Sequence, residues 1–306
     1  MHPYNLRKSI LIKVLYSSLN YKDALSASGN KGVTKRYPHT PGIDASGIVV
    51  SSISHQFAPG DEVIVTGYDL GMNTEGGFGE FINVPAEWVV PKPEGLTFEE
   101  SMILGTAGFT AGLAAYHLIR CGQKPEDGRI LVTGATGGVG SLAISILAAN
   151  GFEVIASTGK TDKHDYLKKM GATEIIDRAE TDDKSGKALL RPRWAGAIDT
   201  VGGNILASVL KACTEHGNIA ICGNVASPLL NTTVFPFILN GVNLLGVNSA
   251  TTPMALRKDI WMKLAGEWKP EQLELMSEIV TLEDMESRIN AILKGEICGR
   301  VVLRHE

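Results

Sequence analysis

The chain has 306 residues, long for one hydrophobic core, so two domains are expected. A net charge of −4 with 20% charged residues gives no electrostatic footprint for nucleic acid or an anionic membrane. The four cysteines, Cys121, Cys213, Cys222 and Cys298, are far apart and form neither a disulfide framework nor a zinc knuckle; they read as buried or inert thiols of a reducing cytoplasm.

The first residues, Met1 to Lys8, lack the apolar core of a secretory signal. From Ile10 to about Val90 short runs such as Ile48–Val50, Asp61–Val65, Gly79–Val84 and Trp88–Val90 alternate with Pro41-Gly42, Pro59-Gly60 and Gly76-Gly77. That punctuation predicts a mostly antiparallel barrel or sandwich. Thr97-Phe-Glu-Glu100 is a capping box opening a helix through Ser101 to Leu118. Strand–helix alternation then takes over, with strands expected at Ile130–Thr133, Phe152–Ala156, Glu174–Ile176, Gly196–Thr200, Asn218–Cys222 and Val242–Val247. This is the pattern of a doubly wound parallel sheet. A helix is expected over Met254–Trp268, a further cap at Thr281–Asp284, and a closing strand at Gly299–Leu303. The charge-free stretch Ile130–Phe152 is broken by glycine, serine and threonine, and its helical part is too short to span a bilayer.

The richest segment is Arg129-Ile-Leu-Val-Thr-Gly134-Ala-Thr-Gly137-Gly138-Val-Gly140, which passes into an apolar helix from Ser141 to Asn150. Strand, glycine turn and helix in that order make a dinucleotide-binding crossover. Read as G-x-G-x-x-G, the register is Ala135, Gly137, Gly140, with alanine for the first glycine. Gly137 lets the backbone approach a pyrophosphate, Gly140 lets the helix pack closely, and Ala135, Thr136, Gly138 and Val139 complete the turn at a helix N-terminus that favours an anion. The second strand ends at Ser157-Thr158-Gly159-Lys160, with no acid to hold a ribose 2′-hydroxyl. Two hydroxyls and a lysine suit a 2′-phosphate instead, so NADP(H) is the expected cofactor. Gly223 and Asn224 follow the fifth strand, where cofactor-facing loops of such a sheet end. Between Gly217 and Leu256 there is no charged side chain, which marks buried sheet, cofactor cleft or subunit interface.

Ser18–Asp23, Thr40–Asp44, Gly76–Glu80, Gly105–Thr110 and Gly137–Gly140 together resemble the medium-chain dehydrogenase/reductases, and more narrowly their quinone-oxidoreductase-like subgroup that includes acryloyl-CoA reductase. Pro236–Gly246 fits the same subgroup. The resemblance implies a Rossmann domain inserted in a GroES-like β-barrel catalytic domain, here residues 1–100, 101–247 and 248–306, assembled as a cytoplasmic homodimer through the sixth strand. Relatives begin some two dozen residues earlier with a hairpin, so a shortened barrel is expected. Where the subgroup carries an arginine and an aspartate this chain has Asn240 and Asn248, and Asn248 is carried over as a cofactor contact.

Zinc-dependent relatives place a cysteine and a Gly-His-Glu where this chain has Asn20 and Gly42-Ile43-Asp44, so a zinc-free enzyme is expected. The resemblance implies NADPH-dependent reduction of an α,β-unsaturated acyl-CoA such as acrylyl-CoA. A quinone or enone acceptor, or a non-catalytic NADPH-binding sensor or structural protein, are the alternatives. Without a Lewis acid, donors must stabilise an enolate oxygen. Asn20 and Tyr21, on the loop matching the family's substrate motif, either supply them or hold and pack the loop, with Tyr21 also a candidate proton source. Asp23 belongs to the same candidate catalytic group, best read as an organiser of backbone N–H groups. Gly105–Gly108 admits the nicotinamide beside a helix, with Thr106 or Thr110 bonding its carboxamide, or serves helix packing alone. Lys31, Lys35 and Arg36 either meet CoA phosphates or form a solvated loop.

Overall fold

Burial alternates along the first half of β1 (Ser9–Leu19), with Ile10, Ile12 and Val14 buried and Lys13 exposed. The structure is a computed structural model that describes residues 9–306, so the segment Met1–Lys8, read as lacking a signal core, lies outside the described residues. After β1 come α1 (Tyr21–Ala27), β2 (Asp44–Ser52), β3 (Glu62–Thr66), β4 (Phe81–Pro85), β5 (Val89–Pro91) and the long α2 (Phe98–Arg120). Strand–helix alternation follows with β6 (Ile130–Val132), α3 (Gly138–Ala149), β7 (Val154–Thr158), α4 (His164–Lys169), β8 (Ala172–Asp177), β9 (Trp194–Asp199), α5 (Gly203–Lys211), β10 (Cys213–Ile221), α6 (Phe235–Asn240) and β11 (Asn243–Gly246). The chain then runs through α7 (Met254–Ala265), β12 (Ser277–Val280), α8 (Met285–Leu293) and β13 (Arg300–Arg304).

These elements form two compact units. The first runs to Phe109 and is completed by Ser249–Gly266 and Glu271–Glu306; the second is Thr110–Asn248 with Glu267–Pro270. The sequence predicts the first domain boundary at residue 100. The capping box there is present, with Thr97 N donating to Glu100 Oε2 at 2.9 Å and Glu100 N to Thr97 Oγ1 at 3.0 Å. It opens α2, and the division falls further along the same helix because helix and unit boundaries need not coincide.

In the first unit the sheet order is β12-β13-β1-β2-β3-β5, with β4 also on β1. One edge of β1 pairs antiparallel with two strands in turn: Ser9 opposite Pro85 of β4, then Tyr16 opposite Arg304 of β13. Among the described residues of this sheet only β12 and β13 run parallel. The enclosed core includes Ile10, Val14, Val49, Val63, Ile82 and Trp88. Asn20 and Tyr21, expected on a loop, instead begin α1, with Asn20 as N-cap in a capping box with Asp23.

The second unit is a six-stranded sheet, order β11-β10-β9-β6-β7-β8, parallel throughout. All six strands fall where the sequence placed them, to within a few residues at their ends. Leu131, Ile155, Ala197, Leu206, Val209 and Ile219 form its core. The order reverses between β6 and β9, the topological switch point where such sheets bind ligands beyond their carboxyl ends. Helix α2 has the length and apolarity to cross a bilayer, but 78% of its apolar window is buried within the protein, the mark of a core helix.

Candidate cofactor and catalytic sites

At the switch point the turn after β6 is held by a buried polar knot. Thr133 Oγ1 donates to Asp199 Oδ1 at 2.7 Å, Gly202 N donates to Asp199 Oδ2 at 2.7 Å, and Thr200 Oγ1 donates to Thr133 O at 2.9 Å. Burial raises the Asp199 carboxyl above its ordinary value, against the bonds from Thr133 and Gly202. None of these four residues is a site candidate in the sequence, because an Asp at a buried strand end looks like any turn residue.

Gly134 takes a φ of 59°, and Gly137 is the N-cap of α3. A Cβ on Gly140 would lie 2.3 Å from Gly134 O and 2.9 Å from the Ala135 Cα, so the helix can seat on the turn only through glycine. Ala135 is fully buried and donates its N–H to Ser157 O at 3.2 Å, and Thr136 is 7% exposed. Gly137, Gly138 and Val139 remain partly accessible at the N-terminus of α3, where the first N–H groups of a helix face outward.

The end of β7 departs from the sequence reading. Ser157 is 2% exposed with its hydroxyl on Thr181 Oγ1 at 3.2 Å, so it is spent inside the unit. Thr158 is 5% exposed and its Oγ1 accepts from Lys160 N at 3.1 Å. Gly159 is exposed, and a Cβ there would lie 3.5 Å from the guanidinium carbon of Arg178. Lys160 follows Gly159 directly, so two cations lie beside one small-residue turn. Arg178 was missed because it lies past β8, far from the glycine motif in sequence.

Beyond β10 and β11 an open concavity of about 550 Å³ is lined by Ile221, Cys222, Gly223, Asn224, Gly246, Val247 and Asn248. A Cβ on Gly223 would lie 2.1 Å from Thr200 O, so the loop passes over β9 only as glycine. Burial pushes the Cys222 thiol up to about 12, and its Sγ lies 3.4 Å from Asp199 O, so this wall stays a neutral thiol. Cys121, by contrast, is exposed. Asn240 donates to Cys213 O at 3.4 Å, and Thr110 is 5% exposed.

In the first unit, Asp44 is the centre of a second buried network. Its Oδ2 accepts from Ser18 Oγ at 2.7 Å, Asn20 Nδ2 at 2.8 Å and Thr106 N at 2.9 Å; its Oδ1 accepts from Thr106 Oγ1. Arg300 stands 3.8 Å away, with side-chain exposures of 3% and 0% for the pair. Arg300 also donates to Ile103 O, Leu19 O, Asn20 Oδ1 and Ser18 Oγ. Removing either charge would strand the other in the interior, at a cost of about 3–5 kcal/mol. Gly105 kinks α2 over this network with φ 49° and ψ −153°, because a Cβ there would fall 2.6 Å from Asp44 Oδ2.

Asn20 belongs to that network. Its amide donates to Ser18 O, Asp23 Oδ2 and Asp44 Oδ2, and its oxygen accepts from Arg300, so it is turned inward and braces the strand–helix junction. Asp23 has no exposed surface and accepts from the backbone N–H groups of Asn20, Gly42 and Ile43. Burial raises its carboxyl to about 7, with the Asp44 charge adding to the effect. Tyr21, at the first position of α1, is 44% exposed and presents its ring outward. Thr106 is tied to Asp44 through both N–H and hydroxyl. The loop Lys31–Arg36 is exposed for its cations, with Lys31 Nζ 4.4 Å from the centre of the Tyr37 ring. Among the described residues no three His, Cys, Asp or Glu side chains cluster as metal ligands.

Comparison with known proteins places this geometry. Residues 138–264 match the zinc-binding dehydrogenase family and residues 7–94 the alcohol dehydrogenase GroES-like domain. The chain is 43% identical to the acrylyl-CoA reductase AcuI of Ruegeria pomeroyi over 96% of its length and 89% of that protein. It is 44% identical to YhfP of Bacillus subtilis over 97% of its length and 91% of that protein. The solved structure of the YhdH oxidoreductase from Salmonella enterica in complex with NADP superposes with a TM-score of 0.95 at 40% identity, covering 97% of this chain and 91% of that one. YhfP with NAD bound superposes at 0.94, 45% identical, with the same 97% and 91% coverage.

Proposed function

This chain belongs to the medium-chain dehydrogenase/reductase family, in its quinone-oxidoreductase-like branch, and from that premise we propose that it is an NADPH-dependent reductase of a double bond conjugated to a carbonyl, foremost an α,β-unsaturated acyl-CoA such as acrylyl-CoA. The observation that carries the cofactor reading is the turn at the end of β7, where the Arg178 guanidinium lies close to Gly159 and Lys160 is the next residue. Two cations at an acid-free strand end match a ribose 2′-phosphate. The Gly137–Gly140 turn would hold the pyrophosphate at the start of α3, and Gly223, Asn224 and Asn248, around the open concavity, would take the nicotinamide end. That neighbours carry NADP in one case and NAD in another makes the phosphate contact the point to test.

When bound, NADPH supplies a hydride to the β-carbon of the acceptor, and negative charge then gathers on the carbonyl oxygen. Tyr21 is the residue we place at that charge: its exposed phenol can donate to the oxygen or deliver the proton to the α-carbon. Asn20, Asp23 and Asp44 act behind it, fixing the start of α1. Thr106 is held on Asp44 through both its N–H and its hydroxyl. We place the working molecule in the cytoplasm as a homodimer, with β11 and the apolar surface before it against a second copy.

Acceptor competition decides the reaction. Purified protein with NADPH should oxidise the cofactor with acrylyl-CoA faster than with a quinone at equal concentration. Preference for the quinone moves the assignment to a quinone oxidoreductase, and no turnover with any acceptor, despite tight NADPH binding, leaves a nucleotide-binding protein without catalysis. Lys160→Ala and Arg178→Ala should each weaken NADPH by about tenfold or more, as expected for a lost charge-assisted contact, and leave NADH nearly unchanged. Equal losses for both cofactors would remove the phosphate role.

A further inference from the structure

In the first unit one cation stands outside every role assigned so far. Arg257, the fourth residue of α7, is 0% exposed. An arginine near the start of a helix opposes the helix dipole, and burying its charge costs more again. Its hydrogen bonds go to neutral oxygens. Nη1 donates to Thr66 O at 2.9 Å and Thr66 Oγ1 at 3.0 Å, and Nη2 to Ser249 O at 2.9 Å and Ala250 O at 3.1 Å. The guanidinium carbon lies 4.6 Å from the centre of the Tyr68 ring and 4.7 Å from that of Phe109. Trp261, one turn further along α7, stacks on Phe109 at 6.1 Å and 23°, and Trp88 stacks on Tyr68 at 5.4 Å. The result is a ladder of Trp88, Tyr68, Arg257, Phe109 and Trp261, with the cation in its middle rung.

A leucine at this position would fill space more cheaply, so the guanidinium is retained for its planar fork and its two faces. Its edge holds the end of β3 and the return of the chain at Ser249–Ala250. These two segments touch so closely that a Cβ on Gly67 would lie 3.0 Å from Ala250 O, and Tyr68 N donates to that oxygen at 2.9 Å. Its face holds Phe109, three residues beyond Thr106 on the kinked helix. Helix α2 is thus fixed twice within this unit, by Asp44 at Thr106 and by Arg257 at Phe109.

We propose that Arg257 is a positioning residue for the reduction, clamping the Thr106–Phe109 stretch of α2 to the end of β3 and to Ser249–Ala250 so that the hydride is delivered from one fixed geometry. This rests on the proposed reductase activity for its kinetic consequence, but the clamp itself is testable without turnover. Arg257→Lys keeps the charge and loses the fork and the stacking plane. In the protein without cofactor, amide exchange read by mass spectrometry should rise in residues 104–109 and 249–252 of this variant, while 154–158 exchange as in the wild type. In turnover, kcat should fall about tenfold or more, the range expected when reacting groups are slightly misplaced. NADPH affinity should stay within threefold, and the deuterium isotope effect from 4-deuterated NADPH should increase as hydride transfer becomes more rate-limiting. A merely structural role would lower the melting temperature and leave the isotope effect alone. Should the lysine variant fail to fold, Phe109→Leu removes one ring of the sandwich, keeps Arg257, and should give the same exchange pattern. Wild-type exchange at 104–109 in whichever variant folds overturns the clamp. Exchange that rises with kcat and isotope effect unchanged overturns its part in hydride delivery. A wild type that reduces no acceptor sinks the reductase reading instead, and exchange alone then decides the clamp.

Discussion

Asp23 carries a carboxyl with no exposed surface that binds protons up to about pH 7, against 3.8 in an open chain. Between those values the folded protein holds a proton that the unfolded chain releases, so this residue favours folding at acid pH and the benefit drains away as pH rises through 7. Asp23→Asn keeps one oxygen for Gly42 and Ile43 but sets an NH2 against the N–H of Asn20, a loss of about 1–3 kcal/mol. The melting temperature of the wild type should therefore exceed that of the variant most near pH 5 and by less near pH 8; a gap that is constant or widens would refute the raised carboxyl. Tyr21→Phe should lower kcat about 10²-fold if the phenol donates a proton, without changing NADPH affinity; unchanged turnover makes Tyr21 a surface ring. At this scale the sequence reading was uneven. The glycines of the nucleotide turn were legible because their spacing is dictated by backbone. The inward direction of the Asn20 amide was not, since it depends on Asp44 and Arg300, which lie 24 and 280 positions away.

Among the elements, α3 shows how a single atom sets the packing of helix on sheet. Gly140→Ala would drive a methyl into Gly134 O, and backbone cannot yield there as a side-chain tip would. The variant should lose about 1–3 kcal/mol of stability in denaturant titration and much of its cofactor affinity; an unchanged midpoint would mean that the turn moves freely. The parallel strands were readable because they are short, mostly apolar runs bounded by turn signals and alternating with helical segments. Helix α1 escaped notice because its seven residues are too few for an apolar period. Its true signal was the cap, Asn20 with Asp23 three residues on, whereas the same logic at Thr97–Glu100 was recognised because a long apolar helix followed.

For the molecule as a whole, the charge-free segment divides into three fates: β10 is largely buried, the loops after β10 and β11 line the concavity, and residues 225–239 form an exposed apolar surface. Val225, Leu229, Val234, Ile238 and Leu239 are each at least 60% exposed, in the segment that precedes β11, the edge strand of its sheet. The homodimer proposed above would set a second copy against this bare edge strand and close it symmetrically. Ile238→Glu should convert a dimer to monomer in light scattering without loss of secondary structure; a wild type that is monomeric at every concentration would refute the interface. The barrel-type sheet has a consequence of another kind. Ser18 and Arg300 lie 282 positions apart, and β1 can pair with β13 only after the entire nucleotide unit has been synthesised between them. On the ribosome the inserted unit is therefore free to fold first, while β1 to β5 wait with one edge unmatched, and the slow step of biogenesis should be that last annealing of distant ends.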